Sequence, residues 1–456
     1  MIKYINIDDI KPAPYNPRKI SDKQIETLKH SFQEIGFVIP VLANKKNNVI
    51  IAGHQRTKTA KLIGIKEVPV MYVDGIVLGD EIKFNQIHNA VDKTLGNSQK
   101  LLKPYEKEKF IEIDPKDFDV KETMATVTKE ICKLTLKYGN VLSCVVCKGK
   151  VVYGCEYVKA CQLLGKKVNA YICDDSKYDK LVYYLGEEYG KYSYDGIKRD
   201  TYVQGLAQLN RSVGDRKDGK SSKKSRLYEN MVLPYLADKS SDTTILDFGC
   251  GKGAYINMLK KKFNAYGVEF YNNNSKGINI SKGNRQIDAL LEYLEHRKTF
   301  DVVVCDSVLN SVDSVEAEKS VMTCLNLFTQ EKMFISGRHL ESVKYSQSQS
   351  TDASVGVNRL YYLDADNFSA NYREGKWFFQ HFHTKDQIRK LMKEHGFEIV
   401  KLVYFSTSFA VECKKVRNLS EEEYIKAIDF EFNLPLPNGK RYGRNEEVKN
   451  VLNMGD

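Results

Sequence analysis

Apolar residues near the N-terminus follow a helical rhythm and then a strand rhythm. Ile25, Leu28, Phe32 and Ile35 recur at helical spacing, with Ser21 and Gln24 as a candidate capping box and Gly36 as a stop. Two strand-like runs follow at 37–43 and 49–52. Gly53-His54-Gln55-Arg56 then opens a short helix that ends at Gly64, and a strand at 68–73 closes the unit.

The same order returns about a hundred residues later. Met124, Val127, Ile131, Leu134 and Tyr138 form a helical stripe that runs into Gly139. Strands are expected at 141–146 and 151–153, then Gly154-Cys155-Glu156-Tyr157, a short helix to Gly165 and a strand at 168–173. Gly53 and Gly64 have counterparts in Gly154 and Gly165 at a common offset of 101, whereas Gly36 and Gly139 differ by 103. A hairpin loop two residues shorter in the second segment explains that step, and the whole pattern predicts an internal duplication. The two segments differ in chemistry. Gly53, His54 and Arg56 at a helix start, with Arg18 upstream, suit a phosphate, because amide and guanidinium donors favour an anion. Glu156 in the second segment would repel one.

The stretches Asn16-Pro17-Arg18, Gly36-Phe37-Val38-Ile39-Pro40, Ile51-Ala52-Gly53-His54-Gln55-Arg56 and Val68-Pro69-Val70 resemble the ParB/sulfiredoxin N-terminal domain over about residues 1–90. That resemblance implies nucleic-acid or nucleotide binding. In partition ParB proteins the matching box is rich in Glu and Arg and takes a nucleoside triphosphate. Here His54 and Gln55 replace the acid and the middle arginine, which argues against CTP hydrolysis. Sulfiredoxins carry a catalytic Cys where His54 stands. The Gly-His-x-Arg form is similar to that of domains accompanying phage and plasmid DNA methyltransferases.

Beyond residue 226 the pattern turns to alternating strands and helices. Thr244 to Phe248 is a strand, Gly249-Cys250-Gly251-Lys252-Gly253 a glycine-rich turn, and a second strand at 265–268 ends in Glu269. Small residues let backbone approach a ligand, and a carboxylate after the second strand can accept ribose hydroxyls. A dehydrogenase would space its glycines Gly-x-Gly-x-x-Gly. Asp-Phe-Gly-Cys-Gly-Lys-Gly instead resembles motif I of class I S-adenosylmethionine (SAM) methyltransferases, over about 225–415. By that resemblance Gly249, Gly251 and Gly253 line the methionine end of SAM, Asp247 lies near its amine and Glu269 holds the ribose; Asp306 and Ser307 join the cofactor-binding set. A helical face at Ile287, Leu290, Leu291 and Leu294, strands at 300–305 and 333–337, and a helix on Val321, Leu325 and Phe328 continue the order. Thr384 and Gln387 cap a further helix, and strands at 398–404 and 406–412 complete a seven-stranded sheet.

The methyl acceptor is not written in the residues. DNA amino-methyltransferases place an Asp/Asn-Pro-Pro-aromatic motif after the fourth strand. Here Asp306-Ser307-Val308-Leu309 stands there, and Cys305 lacks the proline of a cytosine-C5 nucleophile. Asp306, Asn310, His381 and His383 are the catalytic candidates. His381 and His383 alternate like strand residues within an aromatic insertion at 340–383 and suit a general base. No third ligand accompanies them in sequence, so no metal is expected.

Composition narrows the classes. The chain has 456 residues, 42% hydrophobic and 28% charged, which fits an ordinary globular protein of two to four domains. No apolar run is long enough to span a membrane and no signal core opens the chain, so a cytoplasmic protein without membrane contact is expected. Ten cysteines include one Cys-x-x-Cys, Cys144 to Cys147, with no histidine between 88 and 296, so buried thiols are expected.

Net charge is +11, and the 211–226 segment holds seven basic residues against two acidic ones. Its Arg211, Arg216, Lys217, Lys220, Lys223, Lys224 and Arg226 are candidate phosphate contacts, and the turn-rich 435–444 stretch is a second.

The expected architecture is α/β. A ParB/sulfiredoxin-like α+β domain (1–92) leads to a degenerate repeat (110–200) and a basic linker (201–226). A Rossmann-like seven-stranded class I methyltransferase domain (227–415) and a basic extension (416–456) follow. The function expected is a SAM-dependent methyltransferase acting on DNA, or a DNA-associated target, of a phage or mobile element. DNA is the expected partner, and a nucleotide is a candidate ligand at the ParB-like box. Two other readings remain open: a ParB-like DNA or nucleotide binder with a non-catalytic SAM-sensing domain, and a small-molecule or protein methyltransferase.

Overall fold

The computed structural model describes residues 2–13, 22–89, 99–121, 125–188, 224–274, 277–343, 363, 366–373, 376–436 and 439–455. These fall into two compact units, one within Met1–Lys198 and Lys344–Asp366, the other within Arg199–Val343 and Asn367–Asp456. Ser21 of the expected capping box lies outside the described residues.

The first unit opens with a four-stranded sheet of β1 (Lys3–Asn6), β2 (Val41–Asn44), β3 (Ile50–Ala52) and β4 (Glu67–Val73), in the order β1-β4-β2-β3. Only β4 and β2 run parallel. Helices α1 (Asp22–Glu34), α2 (His54–Leu62) and α3 (Leu78–Asn89) accompany it. A second sheet contains β5 (Lys100–Leu101), β6 (Lys109–Ile113), β7 (Phe118–Asp119), β8 (Cys144–Cys147), β9 (Lys150–Tyr153) and β10 (Val168–Ile172), in the order β6-β10-β8-β9-β5-β7. Its helices are α4 (Ala125–Tyr138), α5 (Cys155–Leu164) and α6 (Tyr178–Glu188).

The path β6-β10-β8-β9 repeats β1-β4-β2-β3 strand for strand, again with one parallel pair. Each hairpin also carries one register shift, at Leu42/Ala43 and at Val145/Val146. Gly53 and Gly154 both cap the following helix in the left-handed region, at φ 101° and 86°. One shared core joins the two sheets. Ile35, Val38 and Ile39 pack with Val145, Val152, Tyr171 and Leu181, and Tyr184 Oη donates to Glu34 Oε2 at 2.8 Å.

The strands expected at 37–43 and 141–146 are shorter. Pro40 offers no amide to a ladder, and the carbonyls of Asn140 and Leu142 are taken by the Asn169 side-chain amide.

In the second unit one π turn (Tyr228–Val232) and α7 (Leu233–Leu236) precede β11 (Thr244–Phe248). There follow α8 (Ala254–Leu259), β12 (Asn264–Val268), the ribbon β13 (Asn273–Asn274) and β14 (Gly277–Ile278), and α9 (Ile280–His296). After β15 (Phe300–Asp306), α10 (Val315–Phe328) and β16 (Thr329–His339) come the hairpin β17 (Phe368–Arg373) and β18 (Lys376–His383), then α11 (Lys385–Glu394). The chain closes with β19 (Phe397–Tyr404), β20 (Phe409–Lys415), α12 (Glu421–Glu431) and α13 (Asn445–Leu452).

Strands β12, β11, β15 and β16 run parallel, β20 joins β16 antiparallel, and β19 closes on β20. Strand β18 extends the sheet beside the last two residues of β16, pairing Arg338 with Phe382 and His339 with His383.

This sheet has eight strands, which corrects the expected seven. The extra pair, β17 and β18, comes from the insertion. No strand lies outside β12 among the described residues, because the following Tyr-Asn-Asn-Asn stretch has no apolar run to bury. The 416–456 stretch, expected as a basic extension, holds six basic residues against eight acidic ones, and its helices pack into the unit. Helix α12, closed by a capping box of Ser420 and Glu423, packs on α10, and α13 packs on α12 and α9. Phe432, fully buried, fills the space between Phe248, Phe270 and Phe328.

Candidate functional site

Strand β11 is buried throughout, so its C-terminal end delivers the glycine turn at a fixed place. Gly249, Gly251 and Gly253 adopt φ of 88°, 58° and 79°, values that other residues reach only with strain. The amides of Gly249 and Cys250 both donate to the Val268 carbonyl, which ties the turn to the end of β12. A Cβ on Gly249 would stand 2.3 Å from Val308 Cγ2.

Glu269 follows β12 and is 4% exposed. Its Oε2 accepts from the Gly251 amide and its Oε1 from the Tyr271 amide, both at 2.9 Å. Burial pushes this carboxyl up, against the two amides that favour its anion.

Gly249 and Glu269 border a cavity of about 360 Å³. Phe248 and Phe270 give it apolar wall, while Asp313 and Glu431 add carboxylates and Arg441 a guanidinium. Glu431 is 5% exposed; burial and then the neighbouring Asp313 raise its pKa to about 8. A cavity of this kind suits a ligand that brings hydroxyls to Glu269 and positive charge to the remaining acids.

The other expected acidic and hydroxyl residues of the cofactor set stand off the cavity lining. Asp247 sits within β11, and its Oδ2 accepts from Tyr228 Oη at 2.7 Å. Burial and the Asp247 charge hold that phenol protonated. Asp306 Oδ1 accepts from Ser336 Oγ at 2.6 Å and from Ser307 Oγ at 3.1 Å. Ser307 is left-handed at φ 64°, and its amide donates to Ser336 Oγ at 2.9 Å. Asn310 Nδ2 donates to Ser311 Oγ at 3.3 Å. Asp306 and Ser307 thus form a hydrogen-bonded end to β15, and the cavity lining passes from Gly249 to Val308 without them.

His381 and His383 meet a third group that the sequence did not place beside them. Glu318, on the first turn of α10, receives His381 Nδ1 at 2.7 Å and His383 Nε2 at 2.5 Å on one oxygen, Oε2. Burial alone would raise this carboxyl, but His383 and His381 outweigh it and bring it to about 2.

In the first unit the box residues face inward. His54 Nε2 accepts from the Ala13 amide at 3.1 Å, and burial lowers its pKa to about 3. Arg56 is 5% exposed and donates through Nη1 to the Ile39 carbonyl. Gly53 brings α2 so close beneath the 37–40 segment that its guanidinium meets that carbonyl first: a Cβ on Gly53 would lie 3.2 Å from both Arg56 Nη2 and Val41 Cγ2. Of the donors expected to meet an anion, the Arg56 guanidinium is thus engaged with the Ile39 carbonyl. Arg18, Arg211, Arg216, Lys217, Lys220 and Lys223 lie outside the described residues. Lys224 stands 3.9 Å from Glu229, and Arg226 donates to Ser406 while lying over the Phe405 ring. In the 435–444 stretch Arg444 pairs with Asp288 and Glu447, so it is committed inside its own unit.

All ten cysteines are free thiols, seven of them buried. No helix among the described residues is long and apolar enough to cross a membrane.

Residues 1–86 match the family model of the ParB N-terminal domain. The ParB-like nuclease domain-containing protein YnaK of Escherichia coli is 33% identical over 75 residues, covering 16% of this chain and 85% of its own length. The chain belongs to the ParB N-terminal domain family. The probable chromosome-partitioning protein ParB of Campylobacter jejuni is 38% identical over 73 residues, or 15% of this chain. This ParB-family chain spans about a quarter of that relative, 26% of its length.

Residues 222–402 match the family model of a methyltransferase domain, so the ParB N-terminal domain is fused to a methyltransferase domain. SAM is the cofactor that domain implies. Among solved structures, a SAM-dependent methyltransferase from Clostridium acetobutylicum aligns at 14% identity over 43% of this chain and 93% of its own, with a TM-score of 0.30.

Proposed function

We propose that the chain is a SAM-dependent methyltransferase acting on DNA, or on a DNA-associated target, of a phage or mobile element. The ParB-like domain would contribute nucleic-acid or nucleotide binding. The observation that carries the reading is the cavity bordered by Gly249, Glu269 and Glu431 beside the glycine turn.

The residues present fit the cofactor. Two amides orient Glu269, and its remaining lone pairs are available to ribose hydroxyls. Asp313 offers negative charge to a sulfonium or an ammonium, Glu431 adds to it once the bound cation draws off its proton, and Phe248 and Phe270 exclude water from the apolar side. SAM, when bound, supplies an activated methyl group. The chain's part is then to orient that group and to bring the acceptor to the open end of β15. Asp306, Ser307 and Asn310 stand there, and we take them as the positions nearest the acceptor.

The second sheet of the first unit reads as a degenerate copy of the ParB-like sheet. Its strand order and its paired left-handed glycines support this, while Cys155, Glu156 and Tyr157 replace His54, Gln55 and Arg56. DNA as the acceptor is supported by family membership and by the basic 211–226 segment, whose lysines and arginines suit phosphates.

Calorimetric titration of SAM into the full chain and into Gly251→Asp tests the cofactor. Binding is expected in the first and its loss in the second, and absence of binding to the native chain overturns the enzyme reading. Methyl-labelled SAM incubated with DNA, RNA and protein fractions tests the acceptor. Label is expected in DNA; label confined to protein or small molecules removes DNA as the target.

A further inference from the structure

We propose that Glu318, His381 and His383 form a binding site for one divalent transition-metal ion, best suited to zinc. Three donor atoms, one from each residue, lie within 4.8 Å of one another, and all three residues are buried. Two imidazoles with one carboxylate are a donor set that zinc and ferrous iron both accept. None of the three residues lines the cofactor cavity, and the inference does not depend on which methyl acceptor the chain uses.

The geometry is built in advance. Strand alternation puts His381 and His383 on one side of β18, and their ring centroids are 4.0 Å apart. Phe368, the partner of His381 across the hairpin, stacks on its ring at 4.0 Å and 12°. Phe409 meets His383 edge-on at 5.7 Å. Glu318 comes from the opposite side, on a helix started by Ser314, whose hydroxyl accepts from the Ala317 amide. Aromatic packing and a helix cap thus fix all three donors before any ion arrives, as a preorganised site requires.

Charge gives an independent argument. A buried carboxylate is costly unless a cation or several donors face it. Among the described residues no lysine or arginine forms an ion pair with Glu318, and its charged or polar partners are the two imidazoles. Replacing the two N–H donors on Oε2 by one cation keeps the lone pairs directed at the same point. It also compensates the anion while leaving both histidines neutral. Such an ion would clamp the β17–β18 hairpin to α10 at the end of β16. Three protein ligands leave a fourth position for water in a four-coordinate site.

The test uses the full chain made without a histidine tag, dialysed with zinc or with ferrous iron as the probe and then assayed for metal by mass spectrometry. About one ion per chain is expected in the native protein, and roughly tenfold less retention in Glu318→Gln and in His383→Gln. Retention by both variants places the metal elsewhere and overturns the proposal. Either variant can lose the fold, so a second measurement stays on the native sequence. Zinc-loaded protein should melt higher than chelator-treated protein, and equal melting with no bound metal overturns the site. Cobalt substitution separates these ligands from the ten cysteines. A visible ligand-field spectrum without thiolate charge transfer is expected, and a strong charge-transfer band assigns the ion to sulfur instead.

Discussion

The Tyr228 hydroxyl donates to the Asp247 carboxylate at 2.7 Å, while the Tyr228 ring lies flat on Tyr255 with centroids 3.9 Å apart. The π turn before the sheet is thereby tied to β11 by a charge-assisted bond and to α8 by a ring stack. Tyr228→Phe keeps the stack and deletes the donor. The expected outcome is a loss of about 1–3 kcal/mol in urea unfolding. Asp247→Asn keeps an acceptor for the phenol and should cost less. Equal stability of Tyr228→Phe and the native chain would mean that the bond contributes nothing net.

Gly249 has no room for a side chain. Its φ of 88° and the 2.3 Å approach of Val308 Cγ2 leave no place for a methyl. Gly249→Ala should weaken SAM binding by roughly tenfold or more, since any relief displaces the turn that orients Glu269 through Gly251. Val308→Ala added to it removes the collision but not the left-handed strain, so recovery should be partial. Full recovery in the double variant would show that the clash alone matters.

Glu431 predicts a pH dependence. Its folded pKa of about 8 lies above the ordinary value of 4.5, so the folded chain holds its proton through a window in which the unfolded chain has lost it. Stability should therefore fall as pH rises from 5 to 7.5, by about 3 kcal/mol from this residue. Glu431→Gln should flatten that slope. If a cation occupies the cavity, binding ionises Glu431, so SAM affinity should rise with pH across the same range. An unchanged slope in Glu431→Gln, followed by chemical denaturation, would exclude this carboxyl as its source.

The sequence carried the repeat and the glycine turn because both depend on local signals. Left-handed glycines at 53, 154, 249 and 253 occupy positions where the chain must turn sharply into a helix. The spacing of Gly53, Gly64, Gly154 and Gly165 therefore held in three dimensions. What was not legible came from residues far apart in the chain. Glu318 precedes His381 by 63 positions, yet a sign of it was present: it continues the stripe of Val321, Leu325 and Phe328, where an acid does not belong. Glu431 likewise falls on the buried face of Tyr424, Ala427 and Ile428. A carboxylate on an apolar face has to be satisfied by something outside its helix, and the partner's position depends on tertiary packing. The inward turn of His54 and Arg56 was hidden for the same reason, because it follows from how closely Gly53 sets α2 beneath the 37–40 segment.

His54 supplies an acid-side prediction for the first unit. The imidazole accepts from the Ala13 amide through Nε2, a role open only to the neutral ring, and burial lowers its pKa to about 3 from an ordinary 6.5. Below pH 6.5 the unfolded chain takes up a proton that the folded chain refuses. The stability His54 contributes is thus complete above that value and drains away as pH falls toward 3. Between pH 7 and pH 5 the loss from this one residue should be about 2 kcal/mol. His54→Gln carries a side-chain oxygen to the place of Nε2 for the Ala13 amide and does not titrate. It should be somewhat less stable at pH 7, because the smaller side chain packs less well, yet lose less on acidification. Hydrogen exchange of amides in β2, β3 and α2, compared at the two pH values, reads this unit separately from the methyltransferase domain. A native chain whose protection in those elements is as strong at pH 5 as at pH 7 would show that the imidazole charges without leaving its place.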